Sequence, residues 1–93
     1  MAYNVIRKRV MLEGQVQGVG LRFRAEYASQ MVRVTGWIKN LDDGKVELEL
    51  QGSEDEIAKL LAELAKGRNV EVEKMTETDI PVVEGEKEFM ALV

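Results

Sequence analysis

The sequence predicts an α+β fold, in which two helices pack on one face of a four- to five-stranded, mostly antiparallel sheet. Two stretches carry apolar residues at helical spacing, and stretches with strand-like alternation flank each of them. An Asp-Gly pair at 43–44 joins two of the strand-like stretches as a hairpin. The resulting order is βαββαβ with one appended strand.

The first half of the chain predicts a strand, a glycine-rich loop, a helix and the hairpin. Residues 5–13 alternate as strand 1, residues 14–20 form the loop, and residues 34–41 and 45–51 form strands 2 and 3. Residues 21–32 have the spacing of helix 1. Its core-facing stripe is expected to consist of Leu21, Ala25, Ala28 and Val32, widened by Phe23 and Tyr27.

A capping box marks the start of the second helix. Ser53 is followed three residues later by Glu56, and an i, i+3, i+4, i+7 apolar stripe then runs from Ile57 to Leu64. Gly67 is expected to end helix 2 in the C′ position.

The last quarter of the chain predicts two further strands. Residues 70–78 alternate weakly as strand 4, Pro81 marks a loop, and residues 88–93 form a short last strand. Split βαβ units in this order favour the ferredoxin-like sandwich. We therefore interpret residues 1–93 as a single domain.

The absence of two residue types limits the chemistry. The chain has no cysteine, which excludes disulfides, thiolate nucleophiles and thiolate metal sites. It has no histidine either, which excludes serine-histidine triads and HExxH metal sites. Catalysis would depend on arginine, lysine, carboxylates, amides, hydroxyls or the backbone.

The net charge of −4 is the wrong sign for a general nucleic-acid or anionic-membrane binder. An RNA-recognition domain is further disfavoured because aromatic residues make up only 5% of the chain. The N-terminal residues lack the apolar core of a signal peptide, and no apolar run approaches a membrane span. We therefore expect a cytoplasmic protein.

The glycine-rich loop is a candidate anion site. Gly18 and Gly20 suit a nest of backbone amides at a helix N-terminus, although such glycines also occur for their backbone angles alone. Arg22 favours the anion site, since a cation is disfavoured in the first turn of a helix unless an anion accompanies it. Asn40 could orient a water beside that anion or serve only as a turn residue.

Other polar and bulky residues have ordinary explanations. The Arg7-Lys8-Arg9 run is expected to be a solvated strand, and Lys39 is expected to be exposed on the sheet face opposite Asn40. Trp37 and Met31 are interpreted as core residues.

Two segments resemble the signature segments of a known family. GQVQGVGLR at 14–22 and GWIKNLDDGKVELELQG at 36–52 are similar to those of the acylphosphatases, in the same order and at the same spacing. The resemblance spans roughly residues 8–93 and is weakest after Gly67.

The resemblance implies a small cytoplasmic, monomeric hydrolase that cleaves the carboxyl-phosphate bond of acyl phosphates without a metal or other cofactor. Its products are a carboxylate and inorganic phosphate, and neither nucleic acid nor a membrane is an expected partner. The family's phosphoryl-binding arginine falls on Arg22, and its water-orienting asparagine falls on Asn40. The amides of its phosphate-binding loop fall on Gln17, Gly18, Val19, Gly20 and Leu21.

The sequence also departs from the family pattern. Leu21 stands where phenylalanine is usual and Ile38 where valine or alanine is common, and both are expected in the core. Arg33 stands where a glycine usually ends helix 1. Because a non-glycine residue in a left-handed cap costs on the order of 1 kcal/mol, we expect helix 1 to end differently here.

A second hypothesis requires no catalysis. The same scaffold could hold a phosphate or another anion as a regulatory module, since a fold does not dictate a function. Such a module would be stabilised by phosphate without hydrolysing an acyl phosphate.

Overall fold

The computed structural model describes residues 4–93, so the first three residues of the predicted domain lie outside the described range. All seven predicted elements are present, and helix 1 has the predicted bounds. The helices are α1 (Leu21–Val32) and α2 (Glu54–Ala65). The strands are β1 (Ile6–Gln15), β2 (Thr35–Asn40), β3 (Val46–Gly52), β4 (Glu71–Ile80) and β5 (Phe89–Ala91).

The five strands form one sheet in the order β4-β1-β3-β2-β5. β1 pairs antiparallel with β3 and β4, β2 pairs antiparallel with β3, and β5 pairs parallel with β2. The predicted ferredoxin-like, mostly antiparallel α+β fold is thus confirmed. Because β1 and β2 are both antiparallel to the strand between them, their carboxyl ends lie at the same edge of the sheet. That edge carries the glycine-rich loop after β1 and Asn40 at the end of β2.

One hydrophobic cluster joins both helices to one face of the sheet. Alternate residues of β1, β2 and β3 contribute to it, as expected for strands with one covered face. Leu21 and Ile38 belong to this cluster, so their predicted core positions are confirmed. The other members are Val10, Leu12, Val16, Ala25, Ala28, Val34, Val46, Leu48, Leu50, Ile57, Leu60 and Leu64.

Three large side chains of α1 are exposed, contrary to prediction. Phe23, Tyr27 and Met31 are 76%, 63% and 70% exposed, respectively. With 3.6 residues per turn, Phe23 lies about 200° around the helix from the buried Leu21. The buried stripe is therefore narrow, and Phe23 and Tyr27 do not widen it. Trp37 is half-buried rather than a core residue.

Arg7 is buried, so the prediction of a solvated Arg7-Lys8-Arg9 run is wrong for its first residue. The guanidinium lies 2.9 Å from Glu49 and 2.8 Å from Glu86, and it donates a 3.1 Å hydrogen bond to Gln51. Burial acts to lower the pKa of Arg7, but the hydrogen bonds to the Glu86 and Glu49 carboxylates outweigh it and raise the pKa above its ordinary value.

Arg7 and its partners Glu49, Gln51 and Glu86 hold the connection between β4 and β5 in place. Gln51 exchanges two hydrogen bonds with the backbone of Val83, at 2.8 and 3.0 Å. Thr35 donates a 2.7 Å hydrogen bond to the Glu86 carboxylate that also pairs with Arg7. Residues 81–88 are therefore tied to β1, β2 and β3 before the chain enters β5.

α1 ends in the left-handed conformation despite lacking a glycine there. Arg33 has φ 56° and ψ 46°, so the expectation that this helix ends differently is wrong. The backbone amides of Arg33 and Val34 both donate to the Ser29 carbonyl, and the Val34 side chain is buried. These contacts offset the conformational cost of a non-glycine residue at the cap.

Gly67 follows α2 for a different reason than predicted. The cap residue Lys66 is right-handed, and Asn69 rather than Gly67 has a positive φ. A Cβ at position 67 would lie 2.7 Å from Val70 and 3.1 Å from the Arg24 Nε. The glycine thus permits a close approach, because a larger residue would collide with these side chains.

β4 is an outer strand of the sheet and is exposed along most of its length. Residues 73–79 are all exposed. The strand has one cation, Lys74, and the acidic residues Glu71, Glu73, Glu77 and Asp79.

Candidate active site

The loop between β1 and α1 contains two glycines in left-handed conformations. Gly18 has φ 71° and Gly20 has φ 77°. A Cβ at either position would meet nothing within 4 Å, so backbone conformation and not crowding requires glycine there. Successive amides in such a loop can point into one concavity and bind an anion.

Gly14 has a different role from the two loop glycines. It lies at a bulge between β1 and β4, and its Cβ would collide with the Glu71 carbonyl and the Glu73 amide of β4. This glycine permits the pairing of two strands and takes no part in the loop.

The N-terminus of α1 is not capped by a side chain or an acidic residue of its own first turn. Gly20 occupies the N-cap position and provides no side-chain hydrogen bond, and no acidic residue stands in the first turn. The first intrahelical hydrogen bond runs from the Arg24 amide to the Gly20 carbonyl, at 3.0 Å. The amides that precede Arg24 in the helix therefore have no intrahelical acceptor, and with the helix dipole they favour a bound anion.

Arg22 places a cation beside these amides. Its Nη1 donates a 2.8 Å hydrogen bond to the Leu92 carbonyl, just after β5. β5 itself lies beside β2, and the Leu92 amide donates to the Ile38 carbonyl at 2.8 Å. A guanidinium has five N–H donors, so this anchor orients the group and leaves other donors for an oxyanion.

Asn40 is the last residue of β2 and is half-buried. Its backbone pairs with Val46 of β3, which fixes the position of the side chain at the edge of the sheet. Within residues 4–93 no hydrogen bond engages the carboxamide of Asn40. The amide can therefore donate to and accept from a ligand or a water.

Gln17 connects the loop to the hairpin that follows Asn40. Its Nε2 donates to the carbonyls of Leu41 and Lys45, at 2.7 and 2.9 Å. The resemblance assigns Gln17 through its backbone amide, whereas the structure gives its side chain a separate positioning role. The side chain holds the β1–α1 loop against the β2–β3 hairpin.

A small cavity brings most of the predicted site residues together. Its volume is about 190 Å³. Five predicted residues line it, namely Gly18, Gly20, Leu21, Arg22 and Asn40. Gln17 and Val19 do not line it: Gln17 points to the hairpin, and Val19 packs partly against the core. The cavity therefore combines a cation, a helix N-terminus and a carboxamide.

Sequence reasoning missed three groups at this site. Val16 and Phe23 also line the cavity, and the Leu92 carbonyl anchors Arg22. The position of Phe23 next to Arg22 in the first turn could have indicated its place at the mouth of the cavity. No sequence pattern indicates Leu92, because a carbonyl acceptor can come from any residue.

No cluster of three or more potential metal-ligating side chains occurs among residues 4–93. In the same part of the chain, neither helix has the length and apolar character that crossing a membrane requires.

The family model described as Acylphosphatase matches residues 8–91. The chain belongs to the acylphosphatase family. The match includes the β1–α1 loop, Arg22 and Asn40, and the acylphosphatase resemblance of the two signature segments is thereby confirmed.

Relatives named as acylphosphatases cover nearly the whole chain. The acylphosphatase of Clostridium beijerinckii is 38% identical over 88 residues, which are 91% of this chain and 96% of that protein. A solved acylphosphatase structure from Coxiella burnetii is 33% identical with a TM-score of 0.84, covering 96% of this chain and 94% of the other. The crystal structure of the Bacillus subtilis acylphosphatase is 27% identical with a TM-score of 0.86, and it covers 97% and 100% of the two chains.

Proposed function

We propose that this chain is a catalytic acylphosphatase, which hydrolyses acyl phosphates at the cavity between the β1–α1 loop and Asn40. The family match and the named relatives support the activity. The observation that supports this location is the uncapped N-terminus of α1, with Arg22 in its first turn and Asn40 lining the same cavity.

The reaction breaks one bond to phosphorus and forms another. An acyl phosphate dianion and one water give a carboxylate and dihydrogen phosphate, so the charge of −2 and both protons of the water are accounted for. A carboxylate is a stable leaving group, and a loose phosphoryl-transfer transition state depends on positioning and charge stabilisation more than on a strong base. A chain without histidine or cysteine can therefore perform this reaction.

Arg22 and the loop amides would hold the phosphoryl oxygens. The anchor at the Leu92 carbonyl fixes the guanidinium before the substrate binds, so little reorganisation is needed as charge spreads over the equatorial oxygens. The left-handed conformations of Gly18 and Gly20 are of the kind that can direct successive amides toward one anion.

Asn40 would orient the attacking water. Its carboxamide oxygen can accept a hydrogen bond from the water, which sets the line of attack without removing a proton. The Gln17 side chain would keep this water at the correct distance from the phosphoryl site, because it ties the loop to the hairpin after Asn40.

The direct test is hydrolysis of benzoyl phosphate by the purified protein in the presence of a chelator. We expect release of benzoate and phosphate far above the spontaneous rate, with inorganic phosphate as a competitive inhibitor. Background hydrolysis by folded protein, together with a rise in melting temperature on adding phosphate, would instead support the non-catalytic anion-binding module.

Three further properties are part of the same proposal. We propose that residues 1–93 form one acylphosphatase-like domain, that it acts as a monomer and that it resides in the cytoplasm. Arg22 and Asn40, the two proposed catalytic residues, line the same cavity of one chain.

A further inference from the structure

We call the cavity that contains Gly18, Gly20, Leu21, Arg22 and Asn40 the anion cavity. A second cavity adjoins it on the solvent side of α1. We name it the shelf. Its volume is about 390 Å³, roughly twice that of the anion cavity. Its walls are Val19, Gly20, Phe23, Arg24, Tyr27 and Arg68.

The two cavities share a wall. Gly20 and Phe23 line both of them, so a group bonded to a phosphoryl in the anion cavity can extend across Phe23 onto the shelf. In an acyl phosphate, that group is the acyl part of the substrate.

Two exposed aromatic rings form the apolar part of the shelf. Phe23 and Tyr27 are one helical turn apart on α1, and side chains at this spacing are neighbours. Paired exposed rings beside a reactive cavity provide a flat apolar surface for a ligand. Packing of the core does not account for aromatic residues at these two positions, since both lie on the side of α1 that faces away from the core.

Two arginines form the charged part. Arg24 packs against Gly67, since a Cβ built on Gly67 would lie 3.1 Å from the Nε of Arg24. This contact brings Arg24 next to Arg68, and both arginines line the shelf. Among residues 4–93, Arg24 has one ion pair, with Glu63 at 3.9 Å, and Glu63 is also 3.3 Å from Lys66. Within residues 4–93, Arg68 has no ion pair. Two incompletely neutralised cations at one cavity are unexpected in a chain with a net charge of −4.

We propose that the shelf binds the acyl group of the substrate and selects acyl phosphates whose acyl group carries a second anionic substituent. The apolar or planar body of the acyl group lies on Phe23 and Tyr27, and its anionic group pairs with Arg68 and Arg24. This inference rests on the proposed acylphosphatase function, because it concerns the group attached to the same phosphoryl.

The test compares two substrates that differ by one charge. Benzoyl phosphate and 4-carboxybenzoyl phosphate present the same ring, and only the second has an anion at its far end. We expect kcat/KM to be higher for the carboxylated substrate, and the preference to decline as salt screens the exposed charges.

The variant that tests the site is Arg68→Gln. A charge-assisted pair at a partly exposed site is worth up to about tenfold in binding, so the preference for 4-carboxybenzoyl phosphate is expected to fall fivefold to tenfold. Arg68 is exposed and has no ion pair to lose among the described residues, so this substitution is not expected to unfold the protein.

Lys87→Gln is the matched control. It also removes one exposed positive charge, but residue 87 precedes β5 near Gly36 at the start of β2, whereas Asn40 lies at the other end of that strand. We expect this variant to keep the preference between the two substrates. If Lys87→Gln lowers the preference as much as Arg68→Gln, the overall field of the protein is responsible and the shelf proposal is wrong.

The remaining outcomes separate this proposal from the proposed function. Equal kcat/KM for the two substrates in the wild-type protein, or an equal loss for both in Arg68→Gln, overturns the shelf while leaving the hydrolase intact. Failure to hydrolyse either substrate overturns the proposed function itself.

Discussion

The two helices have the same length but begin in opposite ways. The N-cap of α2 is Ser53, whose Oγ accepts a 3.1 Å hydrogen bond from the Glu56 amide, and three acidic residues occupy the first turn of this helix. The N-cap of α1 is the left-handed Gly20, which provides no side-chain cap, and Arg22 stands in the first turn of this helix. The partial positive charge at the N-terminus of α2 is therefore neutralised by side chains of that helix, whereas the N-terminus of α1 stays positive.

The difference shows how a short chain divides its helix termini between stability and binding. A cap and first-turn acids stabilise a helix start by satisfying its amides and complementing its dipole. The same groups would occupy an anion site. α1 is therefore stabilised elsewhere, by the buried Leu21, Ala25 and Ala28 against the sheet, and its N-terminus remains available for a ligand.

Of the four substitutions, Arg22→Ala should have the largest effect on activity, because it changes the uncapped N-terminus of α1 itself. It removes the cation from the open N-terminus, and loss of one preorganised donor is expected to lower kcat/KM for benzoyl phosphate about a thousandfold. It should also abolish the rise in melting temperature that we expect phosphate to cause in the wild-type protein. Near-normal turnover by this variant would show that the amides suffice without the guanidinium.

Asn40→Ala should separate turnover from binding. We expect kcat to fall on the order of a hundredfold through loss of water orientation, while inhibition by phosphate stays close to that of the wild-type protein. The measurement is a full kinetic comparison with phosphate as a competitive inhibitor. A proportionate loss of phosphate binding would place Asn40 among the anion ligands instead.

Gln17→Leu tests how the uncapped helix is held in position. The substitution keeps the side-chain size but removes the donor to the Leu41 and Lys45 carbonyls. We expect roughly a tenfold loss in kcat, because small displacements of reacting groups are costly, with a smaller change in phosphate inhibition. An unchanged kcat would mean that backbone contacts alone set the distance between loop and hairpin.

Ser53→Ala should have the smallest effect on activity and the clearest effect on stability. Removing the cap of α2 is expected to lower the free energy of unfolding by about 1 kcal/mol. Turnover and the stabilisation by phosphate should both stay at wild-type levels, since Ser53 does not line the anion cavity. Chemical denaturation and the benzoyl phosphate assay check the two parts separately.

Periodic patterns made the fold predictable. The alternation of β3, the capping box of α2 and the stripe of α1 each express a single local rule, and the structure confirms all three elements. The predictions for Phe23, Tyr27 and Arg7 were wrong because those residues depend on what packs around them. No local sequence pattern marks an aromatic pair as exposed. None marks Arg7 as buried either, because its partners Glu49 and Glu86 are distant in the sequence.

The site residues at the ends of β1 and β2 can be predicted from the sequence, because their positions follow from the order of the strands and helices. A single contact between residues distant in the sequence cannot be predicted in this way. Gly18, Gly20, Arg22 and Asn40 come together because β1 and β2 end at the same edge of the sheet. The Leu92 anchor depends on where β5 docks, which the sequence indicates only as a short last strand.

The acidic outer strand β4 has a consequence for solubility. An exposed strand at the edge of a sheet offers free backbone groups that another copy could join, and such joining leads to aggregation. Glu77 and Asp79 lie 3.4 and 3.9 Å from the Nζ of Lys8, whereas Glu71 and Glu73 have no ion pair within residues 4–93. Two such edges brought together would place the charges of Glu71 and Glu73 close to like charges, which opposes joining. Part of the chain's negative charge thus lies along the edge of the sheet to which a further strand could add.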